Sequence, residues 1–263
     1  MSADLGAALR AEWLKVRHSR VPWASVGAII LAGLVSGFFM FLLQDLRRAR
    51  SLGLVGSKAQ LGAGTADWSG YFSLAAQVVS VGGLIVFGVL AIWLFGREFS
   101  DRTAKDLLAL PTSRSAVVVA KLLVGLLWCL ALTALLVAVT LVLGLLLRLP
   151  GWSPLVALRG AGLVLLVGSL TAGLTAAYGL AASMGRGYLP GVAVMFLTVL
   201  TAQVVAVLGY GAWFPWSVPS LVAGAAGPDQ AQPGWPGLAV VLVVAVGCGA
   251  ATATWWERAD HAA

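Results

Sequence analysis

GREFSDRTAKDLLALPTSRSAVVVAK, residues 96 to 121, is a charged amphipathic stretch between two long apolar runs, in a chain that is 60% hydrophobic and only 10% charged. A segment that polar must meet water, whereas the runs on either side are long and apolar enough to cross a bilayer. This one contrast sets the fold class: membrane spans joined by short aqueous connections. From Glu98 to Leu110 the apolar residues Phe99, Leu107, Leu108 and Leu110 share a broad helical face with Thr103. Opposite-sign pairs four residues apart, Glu98 with Arg102, Asp101 with Lys105 and Arg102 with Asp106, lie on the other face. Pro111 stops the predicted helix.

Outside this stretch the mean hydropathy of +0.95 over 263 residues, with 32 Gly and 11 Trp, is that of a chain whose main solvent is lipid. Lipid offers no partner to backbone amides, so continuous apolar runs of about twenty residues cross as helices. Six are expected, at 22–43, 71–95, 117–147, 155–182, 189–210 and 235–256, forming one all-α domain over 1–263. The first follows the basic segment Arg10 to Arg20 and has no small-residue cleavage site, so it reads as a retained span. The N-terminal segment, the charged stretch through Lys121, the turn near Arg186 and the tail hold eleven Lys and Arg, the opposite loops six. The positive-inside rule therefore places both termini and the 96–116 loop in the cytoplasm. Trp23, Trp93, Trp152, Trp213, Trp216, Trp235, Trp255 and Trp256 fall near span ends, as interfacial anchors do.

Residues 1–21 read as an interfacial elbow helix. Leu5, Leu9, Trp13 and Val16 share one face, with Arg10, Lys15, Arg17 and Arg20 largely elsewhere and Pro22 as the break before the first span. An ordinary positive flank that fixes topology is the competing reading. The segment from Tyr210 to Gly237 is rich in Pro, Gly and Trp and nearly uncharged; short helical or re-entrant pieces and a loose interfacial loop both satisfy it.

The chemistry the sequence lacks is as telling. No Gly-Lys dipeptide occurs, so there is no phosphate-binding loop of the Gly-Lys-Ser/Thr type. His18 and His261 make no metal-spaced pair with Cys or carboxylates, and Cys129 and Cys248 sit inside apolar runs. Every Asp and Glu lies outside the six expected spans, leaving no intramembrane proton relay. The positive charge follows the span ends and points to headgroups, not nucleic acid. Neither a metal site nor catalysis by this chain is expected. Gln77, Thr201 and Gln203 are the candidate lining of a substrate path. Small residues at spacing four, Gly33/Gly37 and Ser169/Gly173/Ala177/Ala181, read as helix-packing stripes.

The order of these features resembles the permease subunits of type-2 ABC transporters. The resemblance rests on Glu12, Trp13 and Lys15 before the first span, and on Glu98, Thr103, Leu108, Pro111, Arg114 and Lys121 in the charged stretch. The Phe214 to Ser217 segment, Phe-Pro-Trp-Ser, is a weaker echo. The resemblance implies a six-helix half-transporter, paired with a second copy or a homologous permease and driven by two separate ABC ATPase subunits. ATP and Mg would be bound on those subunits, with no cofactor on this chain. It makes 96–116 the coupling loop. Glu98, Phe99, Asp101, Arg102, Thr103, Lys105, Leu107, Leu108, Pro111 and Arg114 would dock on the ATPase, with Glu12, Trp13, Lys15, Arg17 and Arg20 on the elbow at the lipid interface. It also implies export of an amphipathic compound from a bacterial cytoplasmic membrane. A non-transporting scaffold or sensor that recruits a cytoplasmic partner is the alternative.

Overall fold

The computed structural model describes residues 2–44, 65–101, 103, 113–225 and 232–258. Six candidate spans are present: α2 (Arg20–Gln44), α3 (Trp68–Ser100), α4 (Arg114–Leu146), a fourth built from α5 (Pro154–Leu174) and α6 (Ala176–Met184), α7 (Tyr188–Val207) and α9 (Gly234–Arg258). α1 (Ser2–His18) precedes them, and the short α8 (Val218–Val222) lies between α7 and α9. The fold is all-α, with no strand among the described residues.

Helix ends lie where side chains cap them. Asp67 accepts a hydrogen bond from the Gly70 amide at 2.7 Å and starts α3. Ser113 and Ser153 do the same for Ala116 and Val156, at the starts of α4 and α5. Hence α3 and α4 begin about a turn before the hydrophobic runs do. α3 also continues through Ser100, so Glu98 and Phe99 belong to the end of a span.

The break between α1 and α2 falls at Ser19 and not at Pro22. Pro22 lies in the first turn of α2, where its missing N–H costs no helical bond. The Trp23 indole N–H donates to the Arg17 carbonyl at 2.9 Å and clamps the corner. A second break divides the fourth span at Thr175, whose hydroxyl donates to the Ala172 carbonyl at 2.7 Å. Such back-bonding competes with the helical ladder and bends it.

α3 is the central helix. Over its most apolar window 56% is buried, against 17% to 33% for the other spans, and its most extensive partner is α5. One apolar core gathers Trp68, Tyr71, Phe72, Phe87 and Leu136; another gathers Leu84, Phe95, Leu174, Tyr178 and Trp256. Gly33 and Gly37 let α2 close on α4. A Cβ there would lie 2.6 Å from Val139 Cγ1 and 2.8 Å from Leu143 Cδ1, respectively, so this stripe is packing. Exposed Leu, Val and Phe cover the outer faces of α2, α7 and α9, as lipid contact demands.

Of the two readings for the Pro- and Trp-rich segment, the structure adopts the helical one. Short 3-10 turns at Gly211–Trp213 and Pro215–Ser217 lead into α8, whose Val218 and Leu221 are buried in the bundle. Ser217 Oγ donates to the Ala202 carbonyl at 3.0 Å, tying the segment to α7.

Candidate functional site

The elbow, the end of α3 and the start of α4 converge on four charges. α1 packs on α4 along Ala8, Glu12 and Val16, a stripe at four-residue spacing with a carboxylate in its middle. Glu12 is 2% exposed and Trp13 45%, so the inward residue is the acid; the Trp13 ring meets Trp128 edge-on at 6.1 Å. Glu98 on α3 is also 2% exposed, and Lys121, two turns into α4, is fully buried.

Lys121 Nζ donates to Glu98 Oε1 at 2.8 Å, to Glu12 Oε2 at 3.1 Å and to the Leu94 carbonyl at 3.0 Å. Its three hydrogens thus have three acceptors. Lys15 donates to Glu12 Oε1 and Glu98 Oε1, both at 2.8 Å. Thr103, on the loop beyond α3, donates to Glu98 Oε2 at 2.7 Å. Two lysines and two carboxylates sum to zero charge, so the cluster escapes the cost of an isolated ion away from water. Burial alone would depress the Lys15 ammonium; Glu12 and Glu98 outweigh it and hold that group above the ordinary lysine range.

Around this cluster the ends of four helices, α3, α4, α6 and α9, are stitched together. The Phe99 ring lies 5.9 Å from Trp255 and 5.6 Å from Trp256 on α9. The fully buried Trp256 donates through its indole to Ser183 Oγ at 3.1 Å. Arg114 reaches the Trp256 and Glu257 carbonyls at 3.3 and 3.4 Å, completing the C-terminal end of α9, where a cation also suits the helix dipole. Asp101 caps α3 through its backbone and faces Arg97, at 3.7 Å, on its solvent side.

Glu98 therefore lies inward and not on the charged face expected for it. Glu12, Lys15, Glu98 and Thr103 come together, whereas Arg17 and Arg20 stay exposed on the elbow corner. Arg102, Lys105, Leu107, Leu108 and Pro111 lie outside the described residues. Gln77 donates to Ser73 one turn away at 3.4 Å, and Thr201 donates to the Leu197 carbonyl on its own helix at 2.8 Å. Gln203 lines a narrow cleft with Ser80 and Trp216. Lys121, which the sequence ties to the family resemblance alone, has no place among the expected docking, elbow or path residues. The signal was its place inside the expected 117–147 span, where a lysine needs a buried partner.

On the far side of Lys121 from the elbow, an apolar groove of about 710 Å³ opens between α4 and α9, floored by α3 and α5.

The family model described as "ABC-2 family transporter protein" matches residues 8–203, from the elbow through α7. The chain belongs to the ABC-2 transporter family. It is an ABC transporter permease and a multi-pass membrane protein. It is 28% identical over 185 residues to the bacitracin transport permease protein BCRB of Bacillus licheniformis, covering 70% of this chain and 88% of that one. The region shared with the family contains all four members of the charge cluster.

Proposed function

We propose that this permease is the membrane half of an ATP-driven exporter, in which the 96–116 loop is the input and the charge cluster joins that input to the helices. The observation that carries the proposal is the cluster itself, in a chain of this family. At the root of the loop Thr103 donates to Glu98, which is bound to Lys121 on α4 and, directly through Lys15 and by way of Lys121 to Glu12, to the elbow. A push on the loop thus has a short, ion-paired route into two other elements.

The partners in this reading are two ABC ATPase subunits, which hold ATP and Mg, and a second permease copy or homologue. Asp101, Arg102, Lys105, Leu107, Leu108 and Pro111 meet the ATPase. Glu98, being buried, acts from behind them, and Arg114 braces α9. Closure of the ATPases on ATP then shifts the loops and switches the exposure of the path between permeases. Termini and loop face the cytoplasm, as the distribution of Lys and Arg supports. The cargo is an amphipathic compound such as an antibiotic, a peptide or a lipid-linked molecule. Likeness to a bacitracin transport permease supports that class.

Purification of the tagged chain from its own cell membrane, followed by mass spectrometry, tests this reading. An ABC ATPase in near-stoichiometric amount is expected. A complex that binds and hydrolyses no nucleotide would instead favour a scaffold or sensor.

A further inference from the structure

The groove between α4 and α9 has dimensions of its own that point to a ligand. Its lining runs from Val119 to Leu130 on α4 and from Leu242 to Ala253 on α9. Eleven helical steps rise ~17 Å. One leaflet of a hydrocarbon core about 30 Å thick supplies ~15 Å of chain. The groove is thus one leaflet long. It lies in the leaflet on the side of the charge cluster, because α4 starts and α9 ends there. Its floor is buried and its rim, at Leu126 and Val246, is exposed.

Charge complementarity selects what can enter. Besides the weakly polar Cys129 thiol, three lining side chains carry polar groups that a ligand might seek, and each has its donor hydrogens engaged. Lys121 is bound to Glu12, Glu98 and the Leu94 carbonyl. Ser169 and Thr175 donate to the Leu165 and Ala172 carbonyls on their own span, each at 2.7 Å. An anion or other acceptor would find no free hydroxyl or ammonium donor there, whereas an uncharged hydrocarbon would lose nothing.

We propose that this groove is a binding site for one acyl chain of a phospholipid, drawn from the leaflet on the side of the charge cluster. The chain lies between α4 and α9, against the same helix that carries Lys121, and holds the two walls apart.

The full-length permease in nanodiscs of phosphatidylglycerol and phosphatidylethanolamine, doped with a phosphatidylcholine bearing a diazirine on one acyl chain, provides the test. After irradiation, peptide mass spectrometry should place adducts on 119–130 and 242–253 at least tenfold above the exposed α2 face around Leu31. Ala250→Trp, which fills the groove, should cut groove labelling tenfold. Ala251→Trp, next to it but outside the lining, should leave it unchanged. Equal labelling of α2 and the groove, or indifference to Ala250→Trp, would overturn the proposal. So would groove labelling by a free diazirine fatty acid with none by the phospholipid. If Ala250→Trp does not fold, the contrast between groove and α2 in the unsubstituted protein decides.

Discussion

Lys121→Met removes one charge from the cluster and little volume, which makes it the sharpest probe of what the cluster contributes. In the native arrangement Glu12 and Glu98 share two lysines; after the change they share only Lys15. Breaking a buried pair by removing one partner costs about 3–5 kcal/mol, because the stranded charge cannot regain water. Here Lys15 and Thr103 still hold Glu98, so the lower end applies, ~3 kcal/mol. For a chain of this length that lowers Tm by roughly 6–12 °C. Glu98→Gln in the same background leaves Glu12 with Lys15, a balanced pair, and should recover at least ~1.5 kcal/mol relative to the sum of the single variants. Thermal melts of the wild type, both single variants and the double variant in one detergent complete the cycle. Strictly additive costs, or a Lys121→Met penalty below ~1 kcal/mol, would refute the picture of four mutually neutralising charges.

Gly37→Val drives a side chain into Leu143 and should cost ~1–3 kcal/mol by overpacking, whereas Gly247→Val, with nothing within 4 Å, should melt within ~0.5 kcal/mol of wild type. Trp256→Ala empties a fully buried site and frees Ser183, for ~3–5 kcal/mol; Trp255→Ala, only partly buried, should cost clearly less in the same melt. Lys15 is held above the ordinary lysine value of 10.5, so its contribution to stability is complete below that pH and is lost as pH rises through the raised value. Melts should therefore show an alkaline loss above about pH 10.5 that Lys15→Met lacks.

What a linear reading can and cannot see is clear from individual residues. The six spans were legible because lipid imposes a length and a composition that every run here satisfies. Their ends were less so: Asp67, Ser113 and Ser153 are ordinary polar residues until an amide three residues on is known to need them. Amphipathicity put Trp13 on the apolar face of the N-terminal helix, yet it gave Glu12 no place on either face. A carboxylate turns inward only when a cation awaits it, and Lys121 is 109 residues away in the chain. Grouping every acid with the aqueous segments hid Glu98 in the same way, although the lysine inside an expected span was on view. The bend at Thr175 was equally silent, since a threonine in a helix bonds backward or outward according to its packing. Of the candidate docking residues, the structure positions Glu98, Phe99, Asp101, Thr103 and Arg114; the middle of the loop lies outside the described residues.

Coupling is the central claim, and reversing the loop's charges tests it most directly. In the permease reconstituted with its co-purified ATPase, the Asp101→Lys, Arg102→Glu, Lys105→Glu triple variant should keep its fold and basal ATP hydrolysis while losing the link between hydrolysis and cargo movement. Normal assembly with an unchanged ratio of cargo moved to ATP consumed would contradict the account.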